Sequence, residues 1–221
     1  TVFVRALAMS LEKVNKQDCQ TVSKQNLREL YKEPSQMAKD KVLKKLDKHC
    51  QQFISLSPFV CLATTAADGS LDISPRGDPP GSIIILSPTE LLIPDRTGNN
   101  RLDTLSNLTA KAEIGLLFLV PGVIETLRVS GLASIIKDDA RLEECVINGK
   151  VPPTGILVEV QRAFLQCGKA LKRSALWDGT YQIDRSALPS FGTMLADQTG
   201  EEARAAELDC SIDDAYQNKL Y

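Results

Sequence analysis

Phe59-Val-Cys-Leu-Ala-Thr-Thr65, Ala67-Asp-Gly-Ser70 and Leu71-Asp-Ile-Ser74 follow one another in the chain, and their reading decides the fold. The first run is apolar and rich in β-formers, the second is a turn built on Asp-Gly, and the third alternates apolar with polar side chains. Together they spell a β-hairpin. Downstream, Gly81-Ser-Ile-Ile-Ile-Leu86 reads as a strand whose unbroken apolar run implies burial on both faces. Ser87-Pro-Thr-Glu90 then turns the chain into Leu91-Leu-Ile93. A helix is expected from about Asn100 to Ala110, on the spacing of Leu102, Leu105 and Leu108. Ala112–Val120 and Thr126–Ile135 form a second hairpin about Pro121-Gly122, and Ile156–Cys167 alternates as a closing strand. Short strands joined by tight turns, with one helix among them, predict a mainly β fold with flanking helices, an antiparallel barrel. The turn after Ile73 lacks the Gly-x-Gly-x-x-Gly of a dinucleotide fold, which argues against parallel β/α units.

The flanks read as helical. Gln25–Tyr31 forms a short helix closed by Pro34, and Ser35 can cap a longer one. Val42, Leu46, Cys50 and Phe53 share one face of that longer helix. Lys39, Lys41, Lys44, Lys45 and Lys48 make the other, a solvated surface. Asp138–Asn148 predicts a helix ending at Gly149, Pro152-Pro153 a rigid link, and Lys169–Trp177 a basic helix. Beyond Ala187 the chain is helical and acidic, and Ile212–Tyr221 is expected to fray or to dock against a partner. The domain reading is a helical N-terminal arm over 1–56, a barrel domain over 57–177 and a C-terminal extension over 178–221.

Composition narrows the function. A net charge of −2 over 221 residues gives no bulk attraction to nucleic acid, so any anion site must be local. Six cysteines lack any Cys-x-x-Cys pair, and the sole histidine is His49, so no metal site is expected. No apolar run approaches the roughly 20 residues of a membrane span. Reduced thiols suit the cytoplasm, or an organelle if Thr1–Ala8 is the remnant of a cleaved transit peptide rather than a docking strand.

Two loops carry the chemistry: Ser74-Pro-Arg-Gly-Asp78 and Pro94-Asp-Arg-Thr-Gly-Asn-Asn-Arg101. Each follows a strand, and the second leads into a helix. Helix-start N–H groups with arginines beside them form an anion site. The plainer alternative is a set of surface ion pairs, with Asp95 or Asp103 meeting Arg96 and Arg101, and Asp78 meeting Arg76. Gly131 marks a bulge or a close strand approach.

Ser57-Pro58-Phe59, Ser74–Asp78, Asp95–Arg101, Glu125–Gly131 and a final Lys169-x-x-x-Arg173-x-x-x-Trp177 occur in order. In this the chain resembles the pyridoxamine phosphate oxidase-like, FMN-binding split-barrel family. The likeness covers about Ser57 to Trp177. It implies an antiparallel split β-barrel and a homodimer with flavin sites at the subunit interface. It places Arg76, Gly77 and Asp78 beside the flavin ring and ribityl chain, and Asp95 and Arg96 at the strand end. Asn100 and Arg101 fall at the phosphate-binding helix start, and Thr126 where the family often has a Gln facing the ring. Lys169, Arg173 and Trp177 would reach across from the C-terminal part. The implied activity is FMN-dependent oxidoreduction of a small substrate or nicotinamide, with no assigned catalytic side chain. The alternatives are a non-catalytic flavin-binding or redox-sensing module, or the same barrel holding a deazaflavin or haem. One departure matters: pyridoxamine phosphate oxidases proper hold their substrate with a C-terminal Arg-x-His, and this chain has no histidine after His49.

Overall fold

The computed structural model describes residues 21–221, so the reading of Thr1–Ala8 lies outside the described residues. The chain divides into two compact units, one through Asp40 and one from Lys41 onward. In the first, α1 (Lys24–Leu30) starts at a capping box. The Ser23 hydroxyl accepts from the Asn26 N–H, and the Asn26 side chain accepts from the Ser23 N–H. A short α2 (Gln36–Asp40) follows.

The second unit opens where the sequence predicts an unbroken helix from Ser35 through Phe53. The helix instead stops at Asp40 and restarts as α3 (Lys48–Leu56), with the Asp47 carboxylate accepting from the Cys50 N–H as a new N-cap. Between them Leu43 runs extended and exchanges two backbone hydrogen bonds with Ala163. Ala163 lies in a long strand whose neighbour on that side covers only Gly155–Glu159. Its N–H and C=O would otherwise lack partners, so tertiary pairing overrides helical periodicity here.

Seven strands form one antiparallel sheet: β1 (Phe59–Thr65), β2 (Leu71–Gly77), β3 (Ile84–Ser87), β4 (Glu90–Pro94), β5 (Glu113–Leu119), β6 (Thr126–Ile136) and β7 (Gly155–Gln166). Their order is β2-β1-β5-β6-β7-β4-β3. The two edges, β2 and β3, are consecutive in sequence. Seven peptide steps from Gly77 to Ile84 can reach roughly 24 Å, while six flat strand spacings span about 29 Å. A flat sheet is therefore excluded, and the sheet curls into a barrel that stays split between β2 and β3.

Alternation along each strand supplies the core. Val60 and Leu62 from β1, Ile114, Leu116 and Phe118 from β5, and Leu127 and Val129 from β6 pack with residues of β4, β7 and α3 in one cluster. Of the apolar strand predicted at 81–86, only the later part is extended, as the edge strand β3 (Ile84–Ser87), half-buried throughout. Both its faces are nonetheless packed: Ile83 and Ile85 join the main core, while Ile84 and Leu86 meet Leu92, Leu142 and Cys145 in a second cluster. The helix expected at Asp138–Asn148 is a single 3-10 stretch, Ala140–Cys145, between residues at positive φ. The basic helix is likewise shorter than expected, α5 (Lys169–Arg173), because Ala175 turns left-handed at φ 48°. The chain ends with α6 (Phe191–Thr199) and α7 (Ala205–Asn218). No helix of the described residues is long and apolar enough to cross a membrane.

Gly131 sits at the β6–β7 register shift after Ser130, where an added Cβ would collide with the Glu159 carbonyl. Gly131→Ala should therefore destabilise the protein by about 1–3 kcal/mol, the scale of an overpacked core. A lowered urea midpoint checks this, and an unchanged midpoint would show that the strands separate freely.

Candidate functional site

A cavity of about 1140 Å³ opens in the split of the barrel. The end of β2, the connection after it, the end of β4 and the loop into α4 (Asp103–Ala110) form its rim. Pro58, Phe59, Val60, Ile83, Ile93 and Leu105 give it apolar walls. The β2 end belongs to one edge of the split, and the β4 end lies beside the other edge, β3.

One end of the cavity is built by α4. Asn107 donates to the Thr64 hydroxyl on β1 at 3.0 Å, and the Thr104 hydroxyl donates to Asp72 on β2 at 3.3 Å. Leu108 is buried in the core. The helix is thereby fixed with Thr104 and Leu105 facing the cavity. Its N-cap, Leu102, is left-handed at φ 59° and makes no side-chain cap hydrogen bond. Asn100 is left-handed too, again at φ 59°. Non-glycine residues in this region store on the order of 1–3 kcal/mol of strain each, and they accumulate where a loop must present backbone groups to a ligand. The uncapped first turn offers N–H donors, and Arg101 stands beside it, 72% exposed and, among the described residues, paired with Asp103 at 2.7 Å.

The other end is a buried ion pair. The Arg96 Nε donates to Asp78 Oδ2 at 2.7 Å, and its Nη1 donates to the Cys145 carbonyl at 2.8 Å. Each side chain of the pair is 14% exposed. Among the described residues, Arg96 Nη2 and Asp78 Oδ1 have no hydrogen-bond partner. Between the two ends, Arg76 faces Asp95 at 3.9 Å. Burial pushes the Asp95 carboxyl above its usual range, against the opposing pull of Arg76 and Arg96. The ion pairs of the plainer reading thus exist, though Arg76 meets Asp95 and Arg96 meets Asp78, the reverse of the expected partners.

Seven of the sequence-predicted site residues line this one cavity: Arg76, Gly77, Asp78, Asp95, Arg96, Asn100 and Arg101. The other four lie elsewhere in the same subunit. Thr126 is buried in β6 opposite Gln166. Lys169 and Arg173 border a shallow depression with Ile124 and Gly168, which shares no lining residue with the main cavity. The Trp177 indole donates to the Val123 carbonyl at 2.8 Å. Sequence reasoning missed Tyr216, Leu220 and Tyr221, which line the cavity from the chain end expected to fray or to seek a partner. It also missed Cys145, whose backbone carbonyl positions Arg96. Neither carries a local signal, since a backbone acceptor and a returning tail are invisible to spacing.

Residues 46–166 match the family model described as Pyridoxamine 5'-phosphate oxidase. Similar solved structures include HupZ of Group A Streptococcus, 19% identical over 54% of this chain and 93% of that one, with a TM-score of 0.45. An FMN-binding protein of Syntrophomonas wolfei subsp. wolfei is 8% identical over 53% and 88%, with a TM-score of 0.41. The FAD binding protein of Mycobacterium smegmatis is 17% identical over 56% and 97%, with a TM-score of 0.40. These are distant likenesses. No match was found among curated protein sequences.

Asp78→Ala would leave the Arg96 charge buried with one carbonyl acceptor, costing about 3 kcal/mol of unfolding free energy. Urea unfolding measures this, and a loss near zero would mean that solvent reaches the guanidinium. A carboxyl whose folded pKa is raised loses stability as pH rises from its ordinary value through the raised one. Asp95→Asn lacks that loss, so its Tm relative to the parent should climb as pH rises above about 4, the ordinary carboxyl value. A difference that stays constant with pH would contradict the burial of Asp95.

Proposed function

The chain belongs to the pyridoxamine 5'-phosphate oxidase family, and on that premise we propose that it is an FMN-binding flavoprotein acting as a flavin-dependent oxidoreductase. One observation carries the reading: an uncapped helix start with Arg101 beside it, at one end of a large cavity whose walls are apolar. A phosphate bearing nearly two charges requires several N–H and guanidinium donors. A planar ring system requires apolar walls with a few polar groups at its edge. The residues present fit such a ligand.

When bound, the flavin supplies hydride transfer with a small substrate or a nicotinamide. The chain's own residues bind, orient and exclude water. Arg101 and the first turn of α4 hold the phosphate, Arg101 exchanging its surface partner Asp103 for the ligand. Arg76 and Asp95 set the polar edge. Phe59, Val60, Ile83 and Ile93 keep water from the ring. The Arg96–Asp78 pair fixes the distance between the two rims of the split.

The working unit in this reading is a homodimer. The outer face of β1, β2 and β5 exposes Phe59, Leu71, Ile73 and Leu117, with Leu71 at 78% and Ile73 at 71%. Cross-strand register sets them on one side of the sheet, with Phe59 opposite Gly77 and Ile73 opposite Ala63. Phe59 and Pro75 belong both to this face and to the cavity rim, so a second copy seated here completes the site. That copy is also the source from which Lys169, Arg173 and Trp177 reach the flavin. Vitamin B6 phosphates are not the substrate in this reading, since the only histidine, His49, lies in α3.

The purified protein should be yellow and sediment as a dimer. Arg101→Ala should weaken FMN binding by roughly 1.5–3 kcal/mol, the scale of a charge-assisted bond. Quenching of flavin fluorescence measures it, and an unchanged titration removes Arg101 from the phosphate site. Turnover with NAD(P)H separates an enzyme from a non-catalytic flavin carrier. Brisk oxidation of pyridoxine phosphate would overturn the assignment of substrate class.

A further inference from the structure

Residues 216–221 return to the cavity. Tyr216 on α7, Leu220 and Tyr221 all line it. Tyr221 is the half-buried one, whereas Tyr216 and Leu220 are 61% and 59% exposed. Its ring centroid lies 5.8 Å from the Arg96 guanidinium carbon, and its phenol faces Asp78. Burial, then the Asp78 charge, push that phenol's pKa up, so the ring stays neutral at physiological pH. The Lys150 ammonium donates to the Tyr221 backbone carbonyl.

This contact is incomplete in a specific way. Arg96 Nη2 and Asp78 Oδ1 are sealed from solvent yet have no hydrogen-bond partner among the described residues. A buried donor or acceptor left unpaired is costly. Tyr221 covers the pair with its phenol turned to the Asp78 carboxylate, yet it gives Arg96 Nη2 no acceptor. The helix before it is anchored on α6, where Asp209 accepts from the Ser190 hydroxyl and the Gly192 N–H, whereas Lys219–Tyr221 lie beyond the end of that helix. A contact that seals polar groups and leaves them unpaired is poised to be exchanged for a better one.

We propose that Lys219–Tyr221 is a strap that closes the Arg96 end of the cavity through Tyr221 and is displaced when a phosphorylated flavin enters. The inference rests on the flavin reading above and adds a closed state to it. Arg96 Nη2 then gains an acceptor from the ligand, and Tyr221 leaves the guanidinium. Because the competent state is only the strap-open fraction, apparent affinity is lowered by that fraction. Release of the strap by any means tightens binding.

The test uses the full chain, with FMN as probe, and reads hydrogen exchange over residues 217–221 together with FMN affinity. Saturating FMN should speed exchange in that segment. Tyr221→Ala should bind FMN roughly three- to tenfold more tightly, as expected for an open fraction of about 10–30%. Lys150→Ala, which frees the tail backbone while leaving the ring intact, should shift affinity the same way. Flavin taken up by Tyr221→Ala but not by the parent would also support the strap. Slower or unchanged exchange with FMN bound would overturn it, as would weaker or unchanged binding by Tyr221→Ala, and both would leave the flavin reading standing. Flavin bound by none of the three proteins would overturn the flavin reading and the strap with it.

Discussion

The Arg96–Asp78 ion pair ties the two rims of the split barrel together. Asp78 follows β2 and Arg96 follows β4, at positions the sheet order places on opposite sides of the opening. No backbone ladder spans β2 and β3, so side chains must do what hydrogen-bonded strands do elsewhere. A buried pair of this kind adds little net stability, because desolvation offsets most of the attraction. What it supplies is position. With Arg96 also donating to the Cys145 carbonyl, three segments distant in sequence are held around one cavity.

The cavity differs at its two ends for related reasons. At the α4 end the polar groups are exposed to water and the loop before the helix is left-handed at Asn100 and Leu102. Arg101 is exposed, its Asp103 contact is a surface pair, and the helix start is uncapped. Surface pairs of that sort contribute on the order of 0–1 kcal/mol and yield readily to a doubly charged ligand. At the Arg96 end the groups are dry and their contacts are short, so rearrangement there needs a replacement that satisfies both partners. Across the opening the formal charges nearly cancel, with Asp72, Asp78, Asp95 and Asp103 set against three arginines. Recognition of an anion therefore depends on backbone donors and on exchange of partners rather than on a bulk positive field.

Much of the fold was legible from pattern. The hairpin about Asp68-Gly69, the β5–β6 pair and the β7 closing strand all follow from alternation and turn residues, which are local properties. Gly131 was legible as well, and the collision its Cβ would make with the Glu159 carbonyl gives the physical reason. The Ser35–Phe53 helix was misread because its spacing is helical, while Leu43 is claimed by an unpaired stretch of β7 more than a hundred residues away. The Asp138–Asn148 helix failed for a similar reason: Leu142 and Cys145 are drawn into the second apolar cluster, and a tighter turn serves that packing.

For the site, the sequence by itself determined which residue types gather at the two loops, because Ser74–Asp78 and Pro94–Arg101 each concentrate cations, amides and turn formers in a few positions. Only the tertiary structure decided who pairs with whom. It set Arg96 against Asp78 and Arg76 against Asp95, left α4 uncapped toward the cavity, and brought Tyr221 over the guanidinium. The reason is that composition and spacing record local preference. The partner of a charge in a split barrel is fixed instead by where two distant strands end, and that follows from how far the short connection after Gly77 lets the sheet open.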